Sequence, residues 1–188
     1  IAWIPFMLLI VVCQLVFNPG PVFFRSQRLG LHGKMISTYK FRSMKQDYSG
    51  QDALAIFRDM GRKDLVEEYS KTRKVINDPR ITWFGAILRR TSIDELPQIL
   101  NVSKGEMSLV GPRPILKEEK SFYSHRAPLL FSVRPGMTGL WQVSGRSNLS
   151  FGERVELELY YAQNWSFWLD IKILLKTLGV VLFGRGAR

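Results

Sequence analysis

The sequence predicts a mainly α fold with short β elements, on three observations. Four interior stretches read as helix, Gly, Pro and Ser concentrate in two long loops at 104–114 and 134–148, and one short run from Met35 to Arg42 mixes β-branched and aromatic residues as a strand does. Helices joined by such loops are poor material for a large sheet but good material for a binding site. The chain has 188 residues, 46% of them hydrophobic, which excludes global disorder and suffices for one domain with a core.

The first element is apolar. No charge occurs from Ile1 to Phe24, and up to Phe17 the only strongly polar side chain is Gln14. Seventeen helical residues reach about 25 Å, short of a hydrocarbon core of roughly 30 Å, and Pro5 breaks or kinks the first turns. Three forms fit: a buried core helix, the tail of a spanning helix, or a re-entrant helix that dips in at Pro5 and leaves by the same face. The lack of any polar face weighs against the first. A signal peptide is excluded, because the basic cluster follows the run and Asn18-Pro19-Gly20-Pro21 ends it. A start at Ile1 fits a fragment whose upstream half completes the element.

The strand at Met35 to Arg42 follows turns at Gly30 and Gly33. Asp52 to Tyr69 reads as helix with Gly61 its weak point, and Asn77-Asp78-Pro79 as a turn. Further helices are expected from Ile81 to Arg90, from Asp94 to Val102 and from Phe151 to Gln163. The stretch from Trp165 to Leu178 carries six aliphatic and three aromatic residues with Lys172 and Lys176, which fits either an interfacial amphipathic helix or a C-terminal helix packed on a core.

Charge is unevenly placed. The net is +11, yet all sixteen acids lie between Asp47 and Asp170, a stretch that sums to +1. The excess sits beside the apolar ends: Arg25, Arg28, Lys34, Lys40, Arg42 and Lys45 before the acids, Lys172, Lys176, Arg185 and Arg188 after them. By the positive-inside rule the first block marks a cytoplasmic exit. A single cysteine, Cys13, excludes an intrachain disulfide and a cysteine zinc site. His32 and His125 stand apart with no ligand constellation, and three Asn-X-Ser sequons are read as unmodified on the cytoplasmic side.

Three segments could carry chemistry. In Thr91-Ser92-Ile93-Asp94-Glu95-Leu96-Pro97-Gln98 the plain reading is a helix start, with Asp94 as cap so that Pro97 falls in the first turn. The same stretch places two adjacent carboxylates near Arg89 and Arg90, and such carboxylates can divide labour as nucleophile and Mg²⁺ ligand. On this stretch alone the capping reading stands first. In Gly111-Pro112-Arg113-Pro114 the flanking Pro112 and Pro114 stiffen the backbone that presents the Arg113 fork, which matches phosphate bidentately. In the segment from Arg134 to Arg146, three glycines permit close approach, Arg134 and Arg146 can meet phosphates, and Trp141 and Gln142 can stack on or hydrogen-bond a base.

Taken in order, these segments resemble the bacterial sugar transferases, monotopic phosphoglycosyl transferases that act on polyprenyl phosphate. The match covers Pro5, the run from Asn18 to Phe24, Tyr39-Lys40-Phe41-Arg42-Ser43-Met44, the run from Arg89 to Gln98, that from Met107 to Pro114, Arg134-Pro135-Gly136-Met137-Thr138-Gly139 and Trp168-Leu169-Asp170. Ile4 precedes Pro5 where the family has Ser. The resemblance implies a monotopic membrane protein with a broken re-entrant helix and interfacial amphipathic helices around a small catalytic domain: residues 1–24 as the end of the re-entrant helix and its exit turn, 25–188 as the catalytic domain on the cytoplasmic face of the inner membrane, with an interfacial helix at 165–183. It implies that Asp94 attacks the sugar-bearing phosphorus of a UDP-hexose and expels UMP, and that undecaprenyl phosphate then takes the phosphosugar. Glu95 would hold Mg²⁺, Arg89 would steady phosphate oxygens, and Arg113, Arg146, Gln142, Lys40, Arg42 and Asp170, with Pro112 and Pro114, would form the substrate-binding set.

The stretch from Trp165 to Asp170 and the terminal Gly-Arg-Gly-Ala-Arg look most like the hexose-1-phosphate branch. Galactose-1-phosphate is the expected cargo, for O-antigen, capsule or exopolysaccharide, with glucose-1-phosphate or an N-acetylhexosamine-1-phosphate as alternatives. The partners implied are a UDP-hexose, undecaprenyl phosphate and phospholipid, with room for a homodimer. A nucleic-acid-binding module is disfavoured by the near-neutral interior, and a non-catalytic membrane scaffold is the remaining rival.

Overall fold

The computed structural model describes residues 3–48, 50–72, 75–145 and 149–183. They are mainly helical with short strands, and they divide into two compact units, one drawn from residues up to 24 and from 41–94, the other from 25–40 and from 95 up to 183.

The first unit opens with α1 (Trp3–Phe17), in whose first turn Pro5 lies, where a missing N–H costs no hydrogen bond. Leu8, Leu9, Val12, Leu15 and Val16 are exposed, whereas Gln14 is fully buried and its Nε2 donates to the Arg42 carbonyl at 2.6 Å. Among the described residues no helix is long and apolar enough to cross a membrane. The stretch expected as one helix from Asp52 is two, α2 (Ala53–Asp59) and α3 (Lys63–Thr72), parted where Gly61 takes φ +68°. Asp52 caps α2 through the N–H groups of Leu54 and Ala55, and Ala53, Phe57 and Leu65 form the small core between the pair. Arg80 lies 4.6 Å over the Phe57 ring and forks onto Asp78. Helix α4 (Trp83–Arg90) starts at Thr82, whose hydroxyl accepts from Gly85 N–H at 2.9 Å.

The second unit contains most of a two-stranded sheet, β1 (Phe23–Leu29) with β2 (Met35–Phe41). Only β2 is anticipated by composition. β1 is a strand of alternating exposure, with Arg25 and Gln27 outward and Ser26 and Arg28 half-buried. The helix expected from Asp94 is a 3-10 turn at Ile93–Gln98 followed by α5 (Ile99–Ser103). The expected Asp94 cap is therefore overturned: Pro97 has no N–H to give, so regular helix begins only beyond it.

The glycine-rich loops contain a second, parallel pair of strands, β3 (Ser108–Val110) and β4 (Gly136–Thr138), with Ser108 opposite Gly136 and Val110 opposite Thr138. These strands meet only because Gly111, Gly136 and Gly139 lack side chains: a Cβ on Gly136 would lie 2.1 Å from the Gly111 nitrogen, and one on Gly139 2.3 Å from the Gly111 oxygen. Leu29, Ile115, Tyr123, Leu130, Val155 and Leu159 build the main core, which α6 (Ala127–Leu130) and α8 (Phe151–Gln163) enclose. The span expected for α8 is the one observed, with a reciprocal cap between Ser150 and Glu153. Helix α7 (Leu140–Ser144) precedes it, and α9 (Phe167–Phe183) closes the unit with Ile173 buried against Val110 and Tyr161 while Phe167, Trp168, Leu175 and Leu178 are exposed.

Candidate active site

Arg89 and Asp94 belong to the first unit. The last turn of α4 presents Arg89, whose Nε donates to the Ser43 hydroxyl at 2.7 Å. Gly85 lets the helix settle on that segment, since a Cβ there would lie 2.0 Å from the Ser43 carbonyl oxygen. Ser43 therefore orients Arg89 and was not singled out by the sequence reading. The chain leaves α4 through Ser92, held at φ +58°, a left-handed conformation that costs a non-glycine residue roughly 1 kcal/mol. Two residues on, Asp94 is buried at 8% exposure.

Arg42, expected to bind substrate, does something else. It is 2% exposed, and each of its five N–H groups has an acceptor: the carbonyls of Pro21, Asn18, Pro19 and Met44 and the side-chain oxygen of Asn18. No donor is left for a ligand. Burial holds its pKa below the ordinary arginine value. Arg42 is the strut that fixes the exit turn of α1, and its assignment to the substrate is corrected accordingly.

The second unit holds a shallow, open cleft. Lys40, Glu95, Arg113, Pro114 and Gln142, all in the expected set, line it together with Trp141, anticipated as a base contact, and with Arg28, Thr38, Gln98 and Met137, which were not expected there. Lys40 Nζ lies 2.5 Å from Glu95 Oε1, each side chain a little under a third exposed. Arg113 stands between buried Pro112 and Pro114 and forms no ion pair with any described residue. Its backbone N–H is held by Glu158, a buried carboxylate on α8 that also accepts from Tyr123 and lies 3.2 Å from Arg154 Nε. Burial pushes Glu158 up from its ordinary pKa, and Arg154 and Tyr123 only partly offset this. Gln142 donates to the Met137 carbonyl at 3.3 Å.

Asp170 and Pro112, both of the expected set, are not among its lining residues. Asp170 accepts from Tyr161 at 2.7 Å and from the Trp165 indole at 3.2 Å, and burial together with that carboxylate raises the Tyr161 pKa. Arg146 lies outside the described residues, as does the terminal Gly-Arg-Gly-Ala-Arg. Among the described residues no three His, Cys, Asp or Glu side chains converge. A single half-buried carboxylate in a cation-lined cleft suits an Mg²⁺ ion that draws its other ligands from water and a diphosphate, rather than a resident metal cage.

Three cations and one carboxylate line this cleft, a charge pattern that suits a phosphorylated ligand. A model of the bacterial sugar transferase family matches residues 1–184, and the chain belongs to that family. It is 43% identical over 183 residues to the exopolysaccharide production protein ExoY of Rhizobium meliloti, covering 97% of this chain and 80% of that protein. It is 45% identical over 170 residues to the undecaprenyl-phosphate galactose phosphotransferase of Salmonella typhimurium, and 40% identical over 187 residues to the UDP-glucose:undecaprenyl-phosphate glucose-1-phosphate transferase of Xanthomonas campestris. These matches cover 89% and 95% of this chain, which spans 35% of the length of each of those two relatives.

Proposed function

We propose that this chain transfers a hexose 1-phosphate, galactose 1-phosphate first, from a UDP-sugar to undecaprenyl phosphate at the cytoplasmic face of the bacterial inner membrane, in surface polysaccharide synthesis. A carboxylate oxygen of Asp94 attacks the sugar-bearing phosphorus, the bond from that phosphorus to UMP breaks, and UMP leaves with the electron pair. A phosphate oxygen of undecaprenyl phosphate then attacks the same phosphorus and expels the Asp94 carboxylate, giving undecaprenyl-diphospho-hexose. Lys40 and Arg113 offset the repulsion between a carboxylate and an anionic diphosphate, and Arg89 takes the phosphate-steadying role that the family resemblance gives it. Mg²⁺, held by Glu95, would supply further neutralisation of diphosphate charge.

The observation that carries this reading is the cation-lined cleft containing Glu95, whose chain neighbour is Asp94. The names of the Salmonella and Xanthomonas relatives support lipid-linked hexose phosphate as product and leave glucose as the second reading of the sugar. The exposed apolar side chains of α1, and separately those of α9, support attachment to lipid, with α1 as the end of a re-entrant helix. Intact-mass measurement after incubation with UDP-galactose and no lipid acceptor is the test. A phosphohexose adduct is expected on the wild type and none on Asp94→Asn, which also loses UMP release. UMP release from Asp94→Asn at the wild-type rate, or rapid-quench samples free of adduct during turnover, would overturn the mechanism.

A further inference from the structure

Arg28 has no place in the site as the sequence describes it, where it is one charge in a basic block. The strand alternation of β1 instead places it in the wall of the cleft that contains Lys40, Glu95 and Arg113. Its side chain is 15% exposed, and its Nε donates to Ser26 Oγ at 3.0 Å. Its Nη1 is buried with no hydrogen-bond partner. The carboxylate oxygen that pairs with it, Glu119 Oε2, stands 3.8 Å away and already accepts the Leu116 N–H at 2.8 Å. Glu119 is shared besides with Arg154, also at 3.8 Å.

Electrostatics agrees with the geometry. Burial first, and the neighbouring Arg113 charge second, draw the Arg28 pKa down to about 10, so the group stays cationic at neutral pH while crowded by a like charge. Trp141, in the same wall, repeats the pattern. Its indole Nε1 is buried without a partner, while its ring lies 5.4 Å from the Arg154 guanidinium. Buried donors are paired in all but a few positions of a native protein, so two unpaired donors in one cleft wall call for an oxygen-rich ligand.

We infer that Arg28 and the Trp141 indole N–H are substrate contacts, with Arg28 donating to a phosphate oxygen of the nucleoside diphosphate and Trp141 to a second oxygen of the same ligand. This rests on the UDP-sugar reading above. Arg28 then completes a set of three cations with Lys40 and Arg113, and Glu119 serves as a loose counter-charge that yields when the diphosphate binds.

The test is calorimetric titration of UDP into the detergent-solubilised full chain, with thermal melting of each variant alongside. Arg28→Gln is expected to weaken UDP binding by about tenfold to a hundredfold, the scale of a lost charge-assisted fork. Arg28→Lys keeps the charge without the fork, and a loss of about threefold to tenfold is expected. Trp141→Phe keeps the ring and loses the N–H, for a loss of roughly threefold to tenfold. Glu119→Gln should bind UDP as well as the wild type or better. Unchanged UDP affinity in Arg28→Lys and Trp141→Phe would overturn the inference, as would equal destabilisation of Arg28→Gln and Glu119→Gln without loss of affinity, which marks a mere strut. A wild-type chain that binds no UDP would instead overturn the reading on which this one rests.

Discussion

Lys40 and Glu95 form an ion pair 2.5 Å long, joining β2 to the 3-10 turn at Ile93–Gln98. Both side chains remain partly open to solvent, so the pair contributes little to stability and much to the charge state of the cleft. Lys40→Met should lower kcat/KM for UMP release from UDP-galactose by about tenfold or more, since a cation facing the diphosphate is lost. The half-saturating Mg²⁺ concentration should fall in the same variant, because Glu95 is freed from its competitor. Steady-state kinetics over an Mg²⁺ series checks both, and a rise in the Mg²⁺ requirement would contradict the assignment of Glu95 as metal ligand.

Arg42 provides a contrasting arginine. With all five donors spent on Asn18 and four backbone carbonyls, its loss should appear as unfolding and not as weak binding. Arg42→Met should cost about 3 to 5 kcal/mol, for a buried ionic hub and the acceptors it leaves unpaired. Arg42→Lys should recover only part of this, because three donors replace five. Urea melts measure the loss, and the folded fraction should bind UDP with wild-type affinity.

Gly85 makes a different kind of prediction, one of space. A methyl group at this position would sit 2.0 Å from the Ser43 carbonyl oxygen, a backbone atom that cannot swing aside. Gly85→Ala should therefore push α4 off the Ser43 segment, break the bond from Arg89 to the Ser43 hydroxyl and cost about 1 to 3 kcal/mol. UMP release should fall along with stability. Ser43→Ala, which removes the hydroxyl without adding volume, should lower UMP release with a smaller change in melting temperature.

Glu158 links stability to pH. Because burial raises its folded-state pKa above the ordinary value of 4.5, its contribution favours the folded state most below that value. This contribution is lost as pH rises through the raised folded pKa. Glu158→Gln, which cannot titrate, should remove that dependence: the stability of wild type relative to the variant should decline as pH climbs from the ordinary carboxylate range. Thermal melts of both proteins across the acid-to-neutral range test the sign, and a difference that grows with pH would refute it.

Local rules were enough for α8, whose Ser150 cap and Glu153 are both present in the sequence, and for β2, with its β-branched and aromatic run. They were enough also for the start of α4 within two residues; the grouping of Lys40, Glu95, Arg113, Pro114 and Gln142 in one cleft is legible only through the family resemblance. They failed for β3 and β4, because three-residue strands made of glycine-rich sequence are stabilised by a partner distant in the chain and carry no periodicity. Arg28 was missed for a related reason: charge was counted along the chain, while in a strand the side-chain direction reverses at every residue. Arg42 was misassigned because its motif identifies the position and not the acceptors, which come from the far end of α1.

The contact of Gly111 with Gly136 and Gly139 bears on how such an enzyme can diversify. Main chain touches main chain there, so that part of the cleft wall can accept no side chain of any kind and is closed to substitution as a source of new specificity. Any retuning of the cleft toward a different hexose must be written in side chains that enter it without supporting the strand pair. Thr38 meets that condition, since its hydroxyl donates to Ser26 on β1 and not to the glycine-spaced pair, whereas Gln142 is tied to the Met137 carbonyl of β4.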